Sequence, residues 1–84
     1  MAAFKEHCQD CMKELGDEYQ YVHHWLDELF PLLGAHHRKI RHHVEGVEIA
    51  RKRWGDRAAK AAEIHIKKDN CGRVPYSKEY ESWT

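Results

Sequence analysis

No segment of this 84-residue chain sustains the apolar–polar alternation of a half-buried strand, so nothing in its pattern supports a sheet. It has no glycine-rich loop of the kind that cradles phosphates, which removes the commonest nucleotide-binding motifs. No apolar run approaches the ~20 residues of a membrane-spanning helix. Met1 to Glu6 carry charges where a secretory leader needs an apolar core. An excess of one charge is also missing: Lys plus Arg and Asp plus Glu each total 14. That balance counts against direct DNA binding driven by bulk electrostatics. Cysteine is scarce and odd in number, at three, which does not make a disulfide framework. These absences together lead to the expectation of a cytoplasmic protein with reduced thiols, away from membranes.

What the chain has in quantity is histidine, eight in all, four of them in Ala35–Trp54. Each has an ordinary pKa near ~6.5, so the molecule turns cationic below neutrality. Residues three and four apart share a helix face. On one continuous helix, His36, Ile40, His43, Val47, Ala50 and Trp54 form a single stripe, and two histidines, His36 and His43, enter the core seam. Arg38, His42 and Glu45 point outward with Ile49, and Arg41 stands one turn before Glu45. The apolar Ile49 on that polar face suggests burial against another copy of the chain.

The remaining segments also read as helices. Phe4, Cys8, Cys11 and Leu15 share a stripe that ends at Gly16. Cys8 and Cys11 form a C-x-x-C, readable as a redox pair or as half of a zinc site completed by Cys71 and a histidine. With no strand before them, two buried structural thiols are the preferred reading. Asp17 is placed to cap a second helix from Glu18 to about Leu33, ending or kinking near Phe30 because of Pro31. Gly46 suits close packing or the approach of a ligand. Gly55 ends the third helix, Asp56 opens the fourth, and Ser77 caps a short final helix through Tyr80 and Trp83. The expected fold is a single all-α domain over residues 1–84, a bundle of about four helices with a docked C-terminal tail.

One spacing occurs twice: His23/Asp27 and His65/Asp69, each four residues apart. Either pair alone is an ordinary helical contact. Taken with His43, they put imidazoles from three helices near the core with carboxylates beside them, the ligand set of zinc, manganese or iron. His23, Asp27, His43, His65 and Asp69 are therefore the candidate ligands, and neutral histidines hydrogen-bonded to carboxylates are the plainer reading. A bound ion would also staple a domain whose core is small. Arg38, Arg41 and His42 are the candidate anion contacts, because arginine forks match phosphate oxygens.

The pattern His23-x-Trp25-x-Asp27, then His37-Arg38-x-x-Arg41-His42-His43-x-Glu45-Gly46, then His65-x-x-x-Asp69 with Gly72 and Pro75, resembles a family of small bacterial and phage proteins without an assigned function. His7 matches a histidine near the start of that family. The linker from Asp27 to His37 is about one residue shorter, and Asn70-Cys71 adds one before Gly72. Cys8 and Cys11 stand where the family has small residues, which weakens the cysteine–zinc reading. The resemblance implies that the His/Asp/Arg set belongs to one site, and it implies a bacterial cytoplasm or, for a phage gene, that of its host.

Three functions are expected from these residues. The first is a metal-binding helical protein, extending to metal-dependent hydrolysis of a phosphorylated small molecule. The second is a non-catalytic binder that inhibits a host defence protein or sequesters a nucleotide. The third is a self-associating protein whose histidines act as a pH switch.

Overall fold

The computed structural model describes residues 3–82 and shows a small all-α bundle. Four helices of two turns or more build it among the described residues: α1 (Phe4–Leu15), α2 (Gln20–Asp27), α5 (Val44–Trp54) and α6 (Asp56–Asp69). Two one-turn helices, α3 (Phe30–Leu33) and α4 (Arg38–Arg41), stand between α2 and α5, joined by a 3-10 turn at Gly34–His37. No helix among the described residues is long and apolar enough to cross a membrane.

Helix α6 is the central element. Ala58, Ala59, Ala61, Ala62 and Ile66 are buried on it, and small side chains let α1, α2 and α5 approach closely. Val22, Trp25 and Leu26 of α2 and Val47 and Ala50 of α5 complete the core. Cys8 and Cys11 are free, buried thiols on the inner face of α1, as the stripe indicated, and Cys11 Sγ faces the Ala61 carbonyl.

Two expected helices are broken, and both breaks serve the site. The second helix ends at Asp27 rather than near Phe30. Pro31 has no N–H, and its ring would meet the carbonyl four residues earlier, that of Asp27. The helix also starts late, at Gln20. Asp17 Oδ1 accepts a hydrogen bond from the Tyr19 N–H at 3.0 Å, and Tyr19 adopts a left-handed φ of 52°.

The expected third helix is interrupted at His42 and His43. His43 is extended, with φ −157° and ψ 173°, and its Nδ1 accepts the Gly46 N–H at 2.9 Å as the cap of α5. The tail holds this break from outside. Val44 N–H donates to the Pro75 carbonyl at 2.8 Å, and the Tyr80 hydroxyl donates to the His42 carbonyl at 2.8 Å. Gly46 is required here because a Cβ on it would overlap the Arg41 carbonyl. The single stripe from His36 to Trp54 therefore does not exist. Ile40 is exposed, while His37, His42 and His43 are buried. The tail docks as a 3-10 turn, Ser77–Tyr80, with Tyr76 rather than Ser77 at the cap position and Glu79 Oε2 accepting the Tyr76 N–H. Trp83 lies outside the described residues.

Candidate metal centre

Asp27, left at the end of α2 by Pro31, is the acceptor around which the site is built. Its Oδ1 has three imidazole nitrogens near it: His37 Nε2 at 3.1 Å, His42 Nε2 at 3.2 Å and His65 Nε2 at 3.3 Å. Asp69, one turn after His65 on α6, brings Oδ2 to 3.5 Å from the same His65 nitrogen. His7 of α1 stacks on His65 with ring centroids 3.6 Å apart, and its Nε2 stands 3.4 Å from Asp69 Oδ2. His23 meets His65 from α2, Nδ1 to Nδ1, at 2.9 Å.

The protons of this cluster can be followed from one end. A carbonyl oxygen only accepts, so His23 Nε2, 2.9 Å from the Glu18 carbonyl, carries a proton and donates it there. Burial, helped by the neighbouring His65 and His7, pushes the His23 pKa down to about 4, so near pH 7 this ring is neutral and has no second proton. Its Nδ1 is then a lone pair that must receive the hydrogen of His65 Nδ1. Burial lowers the His65 pKa as well. A neutral His65 has spent its one proton on His23, and its Nε2 directs a lone pair at two carboxylate oxygens. Burial works to raise the Asp27 carboxyl, but the hydrogen bond from His42, first among the causes opposing burial, holds it below the usual carboxylate range.

A lone pair facing two carboxylates is repulsive in a dry interior unless a cation stands between them. His65 Nε2 is buried and makes no hydrogen bond. Its distances of 3.3 and 3.5 Å to Asp27 and Asp69 are long for N–H···O bonds. They match the ~3.4 Å edge of a tetrahedron of ligands around an ion with bonds of ~2.1 Å.

Among the described residues two side-chain groups are spaced so that they could hold a metal ion: Asp27, His42, His65 and Asp69, and separately His7, His23 and His65. Ring orientation favours the first. An ion lies in the plane of each imidazole that binds it. His7 and His65 are stacked at 13°, so neither ring directs a nitrogen at a point lying in both planes. The His42 and His65 rings are inclined at 78°, which lets both planes pass through one point; His42 Nε2 carries a proton donated to the Leu26 carbonyl at 3.0 Å, so its Nδ1, buried without a hydrogen bond, is its lone pair. His37 stands outside this group with an acceptor at each nitrogen, the Gly34 carbonyl 2.7 Å from Nδ1 and Asp27 Oδ1 3.1 Å from Nε2.

Of the ligands expected from the sequence, His23, Asp27, His65 and Asp69 come together and His43 does not. His43 is consumed as the α5 cap and faces Glu45 and Tyr80. His42, expected among the anion contacts, lies inside the cluster. Arg41 donates to the Trp25 carbonyl and to Glu28, with its guanidinium 4.7 Å over the Trp25 ring. Arg38 has its Nε buried without a hydrogen-bond partner among the described residues, and its charge acts on the Tyr80 hydroxyl. The three do not form one anion site. His7 and His37 are the members that periodicity did not single out. Neither metal group contains a cysteine. Of the four residues in the favoured group, Asp27 alone reaches solvent, its side chain 21% exposed against 1% or less for the others.

The molecule is thus a small all-α protein with a buried histidine–aspartate cluster at the junction of α2, the α4–α5 break and α6. The chain belongs to the family described as a domain of unknown function (DUF6915), which it matches over residues 2–83. No curated protein and no solved structure matches it.

Proposed function

We propose that this protein binds one divalent transition-metal ion between Asp27, His42, His65 and Asp69. The observation that carries the reading is the proton sequence from the Glu18 carbonyl through His23 to His65, which leaves His65 Nε2 as a buried lone pair against two carboxylates. Two imidazoles and two carboxylates suit zinc, manganese or iron. The phosphate-ester hydrolase expected from the arginines gains less support, since Arg41 is committed to Glu28 and the Trp25 carbonyl. The same holds for capture of a nucleotide.

The test is elemental analysis of untagged protein purified without chelator. We expect close to one ion per chain, lost in His65→Ala, and a rise in melting temperature when metal is returned to the stripped wild type. Wild-type protein that carries no metal and gains no stability from zinc, manganese or iron would refute the reading.

A proton on His65 Nε2 is the competing way to satisfy the same geometry, and it favours the pH-responsive reading. In that case acidification changes the protein's state with no metal present, and light scattering between pH 5 and 7 would follow any change in assembly.

A further inference from the structure

Helix α5 turns Gly46, Val47 and Ala50 into the protein and leaves Glu45, Glu48, Ile49, Lys52 and Arg53 exposed. Steps of three and four residues put these five on one outer face. Ile49 is its apolar member, 49% exposed, and it stands sixth in a helix of 11 residues, at the midpoint. The charges are divided about it. Both acids precede it and both bases follow it.

The two bases are uncommitted. Arg51, on the flank, takes Glu48, Asp56 and Glu63. Lys52 and Arg53 have no carboxylate partner among the described residues, and Arg53 rests its guanidinium 4.8 Å over the Trp54 ring. Glu45 uses Oε1 for the Ser77 N–H, and a carboxylate offers a second oxygen. Leu32 of α3 is more exposed, at 79%, but α3 carries no charge that would select an occupant.

We propose that the outer face of α5 is a self-association surface, which pairs antiparallel with α5 of a second copy about a two-fold axis through Ile49. At a rise of ~1.5 Å per residue, Glu45 and Arg53 each lie about 6 Å from that axis, on opposite sides of it. Arg53 then falls opposite Glu45 of the second copy, and symmetry makes the pair twice. Lys52 falls within about 3 Å, along the axis, of Glu45 and Glu48 of the second copy. Ile49 meets its own equivalent at the centre and leaves water. A parallel pairing sets like charges side by side, so the charge pattern selects the direction and the register. None of these residues belongs to the histidine–aspartate cluster, and the proposal does not depend on an ion.

The test is sedimentation equilibrium of the full chain between about 0.02 and 1 mM. One helix face falls short of the ~1,200–2,000 Å² that stable complexes bury, so we expect a weak dimer with a dissociation constant of about 0.1 mM, rising about ten-fold between ~0.05 and ~0.5 M salt. Ile49→Asp should weaken it by about ten-fold or more. Arg53→Glu and Glu45→Arg each place like charges at both ends of the face, so each variant alone should stay monomeric. Mixed in equal amounts they should associate as the wild type does, because the exchanged charges face each other across the mixed pair. Glu45 also holds Ser77, so if Glu45→Arg melts below the wild type the same mixing is done with Lys52→Glu and Glu48→Arg. Wild type that is monomeric at about 1 mM, single variants that associate as well as wild type, or two folded variants that stay monomeric when mixed would each overturn the proposal.

Discussion

Acidification of the metal-free protein provides a direct test of how the cluster holds its protons. His23 is completely buried, and its pKa is lowered from 6.5 to about 4, by burial first and then by its histidine neighbours. A histidine depressed in the folded state favours the neutral form there. Its contribution to stability is therefore fully present above the unfolded value and is lost as pH falls toward the folded one. A difference of roughly 2.5 units corresponds to about 3 kcal/mol, spent between pH ~6.5 and ~4 at a slope of at most ~1.4 kcal/mol per unit. The lowered pKa of His65 acts in the same direction. The depressed Asp27 carboxyl adds its loss only below the ordinary carboxylate range of ~4, outside this window. Urea unfolding in chelator at pH 7.5, 6.5, 5.5 and 4.5 measures the slope, and His23→Gln should flatten much of it. Stability that stays level or rises from pH 7.5 to 4.5 would refute the proton arrangement drawn from the Glu18–His23–His65 chain.

Three further outcomes follow from particular contacts. Gly46→Ala puts a methyl into the Arg41 carbonyl; despite the better helix propensity of alanine it should cost about 1–3 kcal/mol, read as a clear drop in melting temperature, and an unchanged melt would remove the close-approach argument. Tyr80→Phe removes the hydroxyl bond to the His42 carbonyl and should cost about 1 kcal/mol, a fall of roughly 4–8 °C in a domain of this size. Burial leads the causes that raise the Cys11 thiol pKa to about 12, so at pH 8 only ~0.01% of it is thiolate; brief iodoacetamide treatment followed by mass spectrometry should find the exposed Cys71 labelled and Cys11 unlabelled.

How much of this was legible in the sequence depended on how local the governing interaction was. The helical class, the α1 face and the buried cysteines follow from three- and four-residue periodicity, which needs only the sequence nearby. The repeated His-x-x-x-Asp spacing pointed to four residues that do come together: His23, Asp27, His65 and Asp69. The stripe through His36 and Ile40 failed because a helical wheel assumes an unbroken helix. The break depends on contacts remote in sequence, with Pro75 and Tyr80 on one side and the missing Gly46 side chain on the other. Once the frame slips at His42, the adjacent His42 and His43 separate, one into the cluster and one to the α5 cap. His7 could have been suspected from its place one residue before Cys8 on a buried face. His37 had no local signal, because its role comes from a turn back onto Asp27 that only the Pro31 break makes possible.

The size of the domain explains why such a cluster is tolerable in its centre. A chain of 84 residues has little apolar area to bury, and here the inner face of α6 is mostly alanine, which contributes little each. Six histidines, His7, His23, His37, His42, His43 and His65, occupy interior volume that larger aliphatic residues would fill in a better-stabilised protein. A histidine buried beside charge is costly when left without a partner and favourable when it binds an ion, because the energy of binding then becomes energy of folding. Stripping the proposed ion should therefore do more than empty a site. It should loosen the α2–α6 junction, where His23, Asp27 and His65 meet, before it loosens the α5–α6 pairing, whose Val47, Ala50 and alanine contacts and Arg51 ion pairs to Asp56 and Glu63 include no member of the cluster. Hydrogen exchange with and without chelator would separate these cases: amides of Val22–Asp27 and Ile64–Asp69 losing protection while Val47–Arg51 keep theirs is the expected order, and uniform loss along the chain would mean that the ion is no local staple.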